Sequence, residues 1–225
     1  MKNSVLINHQ LKSFNKKMFV SGDKSLSIRW ALTASQAIGA SRGYNLLESD
    51  DVKNTLKALK KLGIKILKKK NYYLINGNGL NGFDYKENLT INAGNSGTLA
   101  RLILGLLIKS KKKINLIGDK SLSRRDFYRV IKPLNLFGLK IKSKNGKLPI
   151  EFQGNDYLTP ITYFEKRGSA QCKSSVMYAA LNTPGVTKIK AKKSRDHTEI
   201  LFKHLNFPIK IKKSKKLDLI EIKGL

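Results

Sequence analysis

Helix-start signals recur along this chain at a nearly constant interval, and that recurrence restricts the fold more than any other feature. Clusters of Gly, Ser, Asp and Asn satisfy open N–H groups at helix starts. Such clusters precede helical patterns beginning near Lys24, Asp50, Ser96, Ser123, Ala170 and Ser194. The first, third and fifth starts are 72 and 74 residues apart; the second, fourth and sixth are 73 and 71 apart. The clearest pattern spans 96–110, with Leu99, Leu102, Ile103, Leu106 and Leu107 along one face. Another sets Val52, Leu56 and Leu59 on one stripe before Gly63. The hexapeptide Gly-Asp-Lys-Ser-Leu-Ser also occurs twice, at 22–27 and 118–123.

Strand patterns keep the same period. Lys17–Val20, Asn88–Ile91 and Ile161–Phe164 lead into the odd-numbered helices, and Tyr44–Leu47, Ile114–Ile117 and Val186–Lys190 into the even-numbered ones. After each even-numbered helix come two more strands: 64–68 with 72–76, 139–143 with 147–152, and 209–212 with 217–222. The turns between them carry the Lys, Asn, Ser and Gly of hairpins. The sequence therefore predicts an α+β fold of three repeated βαβαββ units, at about 14–80, 84–154 and 158–225, with 1–13 as a leader strand. The units are expected to surround a pseudo-threefold axis, helices inside and sheets outside. Ala31, Ala34 and Ala37 are small enough for close helix approach. Coincidental spacing would have to reproduce several elements per unit.

Charge raises a competing reading. The 225 residues carry 45 Lys and Arg against 15 Asp and Glu, a formal charge of +30. Nucleic acid is the obvious partner for such a chain. However, 37 of those cations are Lys and 8 are Arg, whereas phosphate clamps and groove readers draw on the bidentate Arg fork. Many lysines alternate with apolar residues, as in Leu139-Lys140-Ile141-Lys142 and Ile209-Lys210-Ile211-Lys212. That is the wet face of half-buried strands. No nucleic-acid partner is expected. The positive field would still gather small anions. With 40% hydrophobic residues the chain can build cores. No apolar run of 18 residues exists, so no membrane span is expected. The single Cys172 fits a reducing cytoplasm.

Four helix starts carry more than a cap requires. They are Ser21–Arg29, Ala93–Arg101, Gly168–Lys173 and Ser194–Glu199. Each joins small or hydroxyl residues to Lys or Arg, where open N–H groups and the helix dipole favour an anion. Ordinary capping explains any one of them; their recurrence with a basic residue favours one pocket for a multiply anionic ligand. There is no zinc-ligand spacing, no nucleotide-binding glycine fingerprint and no His pattern for a Ser/His/Asp triad. Cys172 reads as a packed thiol.

Taken in order, these segments resemble the 5-enolpyruvylshikimate-3-phosphate (EPSP) synthase family, the 3-phosphoshikimate 1-carboxyvinyltransferases. The resemblance rests on Gly22-Asp23-Lys24-Ser25 with Arg29, Ser49-Asp50-Asp51, Gly94-Asn95-Ser96-Gly97-Thr98 with Arg101, Ser123-Arg124-Arg125, Ser169-Ala170-Gln171 with Lys173-Ser174, and Ser194-Arg195-Asp196-His197-Thr198-Glu199. The related UDP-N-acetylglucosamine enolpyruvyl transferases are similar in fold, but their pattern lacks the Ser-Arg-Asp-His-Thr match. The resemblance implies one lobe of a two-lobed enzyme with its active site in the cleft. It implies transfer of the enolpyruvyl group of phosphoenolpyruvate to the 5-hydroxyl of shikimate 3-phosphate, a step of aromatic amino acid biosynthesis. By position, Lys24 would be the catalytic residue and would touch both substrates. Ser25, Arg29, Ser169, Ala170, Gln171, Ser194 and Arg195 would bind shikimate 3-phosphate. Asn95, Gly97, Arg125 and Gln171 would bind phosphoenolpyruvate. No metal and no organic cofactor is implied.

Departures are Ser21 and Asp126 where the family commonly has Pro, and Cys172 at an apolar position. The larger departure is length, since family members are about twice as long. The second lobe supplies the acidic proton-transfer residues and further Arg residues. The chain is therefore expected to be a fragment, a truncated sequence or a split gene product, inactive alone. It would need a second chain supplying the other lobe, to which the leader 1–13 would belong. The alternative is a stand-alone anion- or nucleic-acid-binding module on the same scaffold.

Overall fold

A computed structural model describes residues 6, 8–10, 13 and 15–225; most of the expected leader, 1–13, lies outside the described residues. The first third of the chain forms α1 (Lys24–Ala34), β1 (Ile38–Tyr44), α2 (Asp50–Lys61), β2 (Lys65–Lys68) and β3 (Tyr72–Asn78). The middle third forms β4 (Leu89–Asn92), α3 (Gly97–Leu106), β5 (Ile114–Ile117), α4 (Lys120–Ser123), α5 (Tyr128–Phe137), β6 (Lys140–Ser143) and β7 (Ile150–Gln153). The last third forms β8 (Thr162–Glu165), α6 (Ala170–Leu181), β9 (Gly185–Lys192), α7 (His197–His204), β10 (Ile209–Lys213) and β11 (Leu217–Gly224).

Two of the three sheets share one plan. In the order β4-β5-β7-β6, the first pair is parallel and the others antiparallel; the order β8-β9-β11-β10 repeats this. The third sheet has three strands, β1-β3-β2, all antiparallel. The strand expected at Lys17–Val20 is absent. Those residues form no strand, and Phe19 is 98% exposed. Their apolar pattern is real, but a strand needs a partner edge, and among the described residues β1 pairs with β3 alone.

Three other boundaries differ from expectation. The strand expected at Tyr44–Leu47 lies earlier, over Ile38–Tyr44, because all seven residues pair with β3 and Asn45 then turns away at φ 52°. The helix expected from Ser123 starts at Tyr128 instead, as α5, and the short α4 ends at Ser123; the Asp126 side chain accepts from the Tyr128 N–H at 2.8 Å at the start of α5. The last helix begins at His197 rather than Ser194, which leaves Ser194–Asp196 as a loop.

Helices fill the inside. Every residue of α3 is buried, its polar members Thr98 and Arg101 included. In α6 burial is continuous from Cys172 to Leu181, and α1 buries Ile28, Ala31, Leu32 and Ala34. α3 and α6 meet at Gly105, where a Cβ would fall 2.0 Å from the Ser175 carbonyl oxygen. α2 is two-faced, with Val52, Thr55, Leu56 and Leu59 buried and Lys53, Lys57 and Lys60 in solvent. The sheets form the outer wall. β9 turns Thr187, Ile189 and Ala191 inward and Lys188, Lys190 and Lys192 outward. Much of the lysine load is thus the solvent side of strands. No helix among the described residues is long and apolar enough to cross a membrane.

The repeated hexapeptide encodes one local device. In both copies the Asp side chain, Asp23 or Asp119, accepts from the N–H three residues on, at 2.7 Å, and opens a helix at the following Lys. The copies open different kinds of helix: α1 precedes β1, whereas α4 follows β5.

Candidate functional site

The starts of α1 and α6 and the loop before α7 converge on one cavity of about 400 Å³. Ser25, Arg29, Ser169, Ala170, Gln171, Ser194 and Arg195, drawn from three separate stretches of sequence, all line it. Thr98, Gly168 and His197 complete the wall.

Local chemistry shapes each wall. Ser169 caps α6, its hydroxyl accepting from the Cys172 N–H at 3.3 Å. The preceding loop is pinned by buried Glu165, whose carboxylate accepts from Ser169 N–H at 2.7 Å and Arg167 N–H at 3.3 Å. Arg29 is 3% exposed and braced from three sides. Its Nε donates to Thr198 Oγ1 at 2.8 Å, Nη2 to Ser174 Oγ at 3.3 Å and Nη1 to the Ser25 carbonyl at 3.2 Å. Burial lowers its pKa, with Arg195 adding to that effect and Glu199 opposing it. The guanidinium keeps its charge in any case.

Two residues of the cavity wall each carry a buried, unsatisfied polar atom. Ser194 Oγ and His197 Nδ1 are buried and have no hydrogen-bond partner among the described residues. Buried polar groups in folded proteins are nearly always paired.

A second cluster adjoins the first through Gln171. Its Oε1 accepts from Arg101 Nη1 at 2.9 Å and its Nε2 donates to Thr98 Oγ1 at 3.0 Å. Arg101 also donates to the carbonyls of Gly97 at 3.2 Å and Asp126 at 3.3 Å, and its guanidinium lies over the Phe127 ring, 4.8 Å from the centroid. Burial lowers its pKa. Arg125 Nη2 donates to Asn95 Oδ1 at 2.8 Å, and Asn95 Nδ2 donates to Asp119 Oδ2 at 2.7 Å. Both guanidiniums crowd Gly97: a Cβ there would lie 2.7 Å from Arg101 Nη1 and 3.1 Å from Arg125 Nη1. Asn95, Gly97 and Arg125 are therefore together, next to the first cavity.

Lys24 stands slightly apart. Half-exposed at the start of α1, it pairs with Asp51 at 3.0 Å, and it does not line the cavity that holds its neighbour Ser25. Cys172 is fully buried and its thiol pKa is pushed up by burial, which suits a packed residue rather than a nucleophile. Sequence reasoning gave no role to Thr98, His197 or Arg101, although all three stand in the motifs it singled out. The same motifs hold Lys173 and Glu199, also without an expected role; the two form a buried ion pair between α6 and α7.

The family model for EPSP synthase (3-phosphoshikimate 1-carboxyvinyltransferase) matches residues 9–225. The chain belongs to the EPSP synthase family. It is 43% identical over 198 residues to the 3-phosphoshikimate 1-carboxyvinyltransferase of Ruthia magnifica subsp. Calyptogena magnifica, covering 87% of this chain and 45% of the relative. With the enzyme of that name from Clostridium tetani it shares 37% identity over 209 residues, 92% of this chain and 47% of the other. The solved EPSP synthase of Acinetobacter baumannii superposes with a TM-score of 0.84 at 32% identity, over 93% of this chain and 47% of that one. The chain thus spans about half the length of the relatives that it matches, and its fold is one lobe of the EPSP synthase fold.

Proposed function

We propose that the cavity is the shikimate-3-phosphate site of an EPSP synthase of which this chain supplies one lobe. The observation that carries this reading is the convergence of Ser25, Arg29, Ser169, Gln171, Ser194 and Arg195, from three separate stretches of sequence, on one cavity. A phosphate ester there would meet both cations at once, and the start of α6 would face its negative charge. Ser25, Ser169, Ala170 and Gln171 would meet the phosphate and ring hydroxyls. Asn95, Gly97, Arg125 and Gln171 would hold phosphoenolpyruvate, with buried Arg101 keeping Gln171 in place.

The reaction is addition of the 5-hydroxyl across C2=C3 of phosphoenolpyruvate: the oxygen bonds to C2 and gives up its proton, and C3 takes a proton to become a methyl group, giving a tetrahedral intermediate. The bond from C2 to the phosphate oxygen then breaks and C3 gives a proton back, which restores the double bond and releases phosphate. This chain's residues would hold two anions side by side, an arrangement that cations and N–H donors must offset before the hydroxyl can approach. Lys24 would exchange Asp51 for the ligands. The other lobe, on a second chain or a continuation of this one, would supply the proton-transfer carboxylates. In this reading the chain alone turns over negligibly. We divide this lobe into three units at about 14–80, 84–154 and 158–225, the first lacking, among the described residues, the opening strand that the other two have.

Calorimetric titration with shikimate 3-phosphate tests the reading. Saturable binding abolished by Arg29→Ala is expected; its absence overturns the assignment. A phosphate-release assay on the isolated chain should give no turnover above background, and substantial turnover would overturn the half-site reading. The alternative, a nucleic-acid module, would instead show oligonucleotide affinity that falls steeply with salt.

A further inference from the structure

Beneath the cavity floor lies an ion pair that reaches no ligand position. Lys173 on α6 and Glu199 on α7 are 0% and 2% exposed and contact each other directly. The residues beside them, Ser174 and Thr198, share a hydrogen bond at 2.6 Å, and both accept from Arg29. The same two helix segments therefore meet twice, once through charges and once through hydroxyls, and Arg29 rests on the hydroxyl contact.

Buried ion pairs are costly to make and give little net stability, so a role beyond stability is worth seeking. The charge arithmetic supplies one. Arg29 and Lys173 are two buried cations served by one buried carboxylate, that of Glu199; the other acid acting on Arg29, Asp23 at the start of α1, is exposed to solvent. Asp196, the neighbouring acid in the loop, is taken by Lys213 at 2.7 Å. Arg195 adds a further cation at the cavity wall. While Lys173 holds Glu199, the charge of Arg29 is left for an anion in the cavity. Without Lys173, the carboxylate next to Thr198 would act on Arg29 as its buried cation, with half-exposed Lys213, already paired with Asp196, and exposed Lys203 on its other side.

We propose that Lys173 is a positioning residue for anion binding: it sequesters Glu199 so that the Arg29 guanidinium is not neutralised from behind. This inference rests on the reading of the cavity as a phosphate-ester site and adds to it two residues that the ligand never touches.

The test is a titration series read beside thermal melts. The wild-type chain, Lys173→Met, Glu199→Gln and the double variant Lys173→Met/Glu199→Leu are titrated with shikimate 3-phosphate and with inorganic phosphate at one fixed ionic strength. Lys173→Met should bind about five- to tenfold more weakly, the effect of one charge acting across a partly screened gap. The double variant should return to within about twofold of wild type, because the net local charge is restored. Glu199→Gln should bind at least as tightly as wild type while its Tm falls. Affinity would thus follow charge rather than stability.

A merely structural pair predicts the reverse, with affinity tracking Tm and no rescue in the double variant; that result overturns the proposal, as does unchanged binding by Lys173→Met. If Lys173→Met does not fold, Glu199→Gln decides: weaker binding overturns the proposal, and retained or tighter binding at lower Tm supports it. Wild-type binding of shikimate 3-phosphate with the wrong order of variants removes this inference alone. Wild-type binding of neither probe removes the substrate reading and this inference together.

Discussion

Gln171 and Arg101 lock α6 to α3 across the boundary between the two clusters: Arg101 Nη1 donates to Gln171 Oε1 at 2.9 Å, while Gln171 Nε2 holds Thr98. Replacing the amide with a hydrocarbon of similar size leaves a buried guanidinium short of one acceptor. Gln171→Leu should therefore lower stability by about 1–3 kcal/mol. Urea denaturation measures this as a lower midpoint at unchanged slope. Gln171→Glu should recover the Arg101 contact but lose the donor to Thr98, and its added charge should weaken phosphate-ester binding.

Arg29 offers a sharper distinction between charge and shape. Lysine keeps the charge, but it lacks the planar fork that reaches Thr198, Ser174 and the Ser25 carbonyl together. Arg29→Lys should cost roughly 2–3 kcal/mol of stability, since hydrogen bonds to a charged group are lost in a buried setting. Binding of shikimate 3-phosphate should weaken by about 10- to 100-fold, as expected when a buried charge contact loses its geometry. Equal affinity in Arg29→Lys and wild type would show that charge alone suffices.

What the sequence revealed of this arrangement divides by distance along the chain. Strands with period-two lysines and helices with glycine, serine or aspartate starts were legible, because caps and alternation are local. Lys17–Val20 misled because an apolar run does not tell whether an edge is free to receive it. β1 was placed too late because Ile38–Tyr44 holds two glycines and gains its order from β3. The site motifs were visible one by one, yet the contacts that give them meaning were not. Arg29 meets Thr198 across 169 residues, and Arg101 meets Gln171 across 70. Lys173 and Glu199 carry no spacing signal, since they lie on different helices and become partners only when those helices are packed.

Acid should loosen the rim of the site before the core. The Leu122 N–H holds the Asp119 carboxyl below its ordinary value of 3.8, with Asn95 adding to that effect. A hydrogen bond from Lys213 likewise holds Asp196 below 3.8. A carboxyl whose folded pKa is depressed contributes stability above the unfolded value and loses it as pH falls through the folded one. Wild-type Tm should therefore drop more steeply below about pH 4 than above it. Asp119→Ala should be less stable at neutral pH and should show a shallower drop in acid. Parallel curves for the two proteins between pH 5 and 2 would show that Asp119 contributes nothing to the acid response.

Gly105 tests the central layer independently of any ligand. It lies in the last turn of α3, just before its final residue Leu106, where an alanine would ordinarily raise helix propensity by at most about 1 kcal/mol. Here the added methyl would land 2.0 Å from the Ser175 carbonyl oxygen, a backbone atom of α6 that cannot swing aside. Ser175 is fixed further by its own hydroxyl, which donates to the Arg101 carbonyl at 2.7 Å. The two helices must then separate, which costs about 1–3 kcal/mol or more in a filled core and outweighs the propensity gain. Gly105→Ala should accordingly lower the denaturation midpoint. It should also weaken ligand binding, because α3 carries Thr98 and Arg101 while α6 carries Gln171 and Ser174, and any shift between the helices moves the two walls apart. A gain in stability from Gly105→Ala would mean that α3 and α6 do not approach this closely in solution.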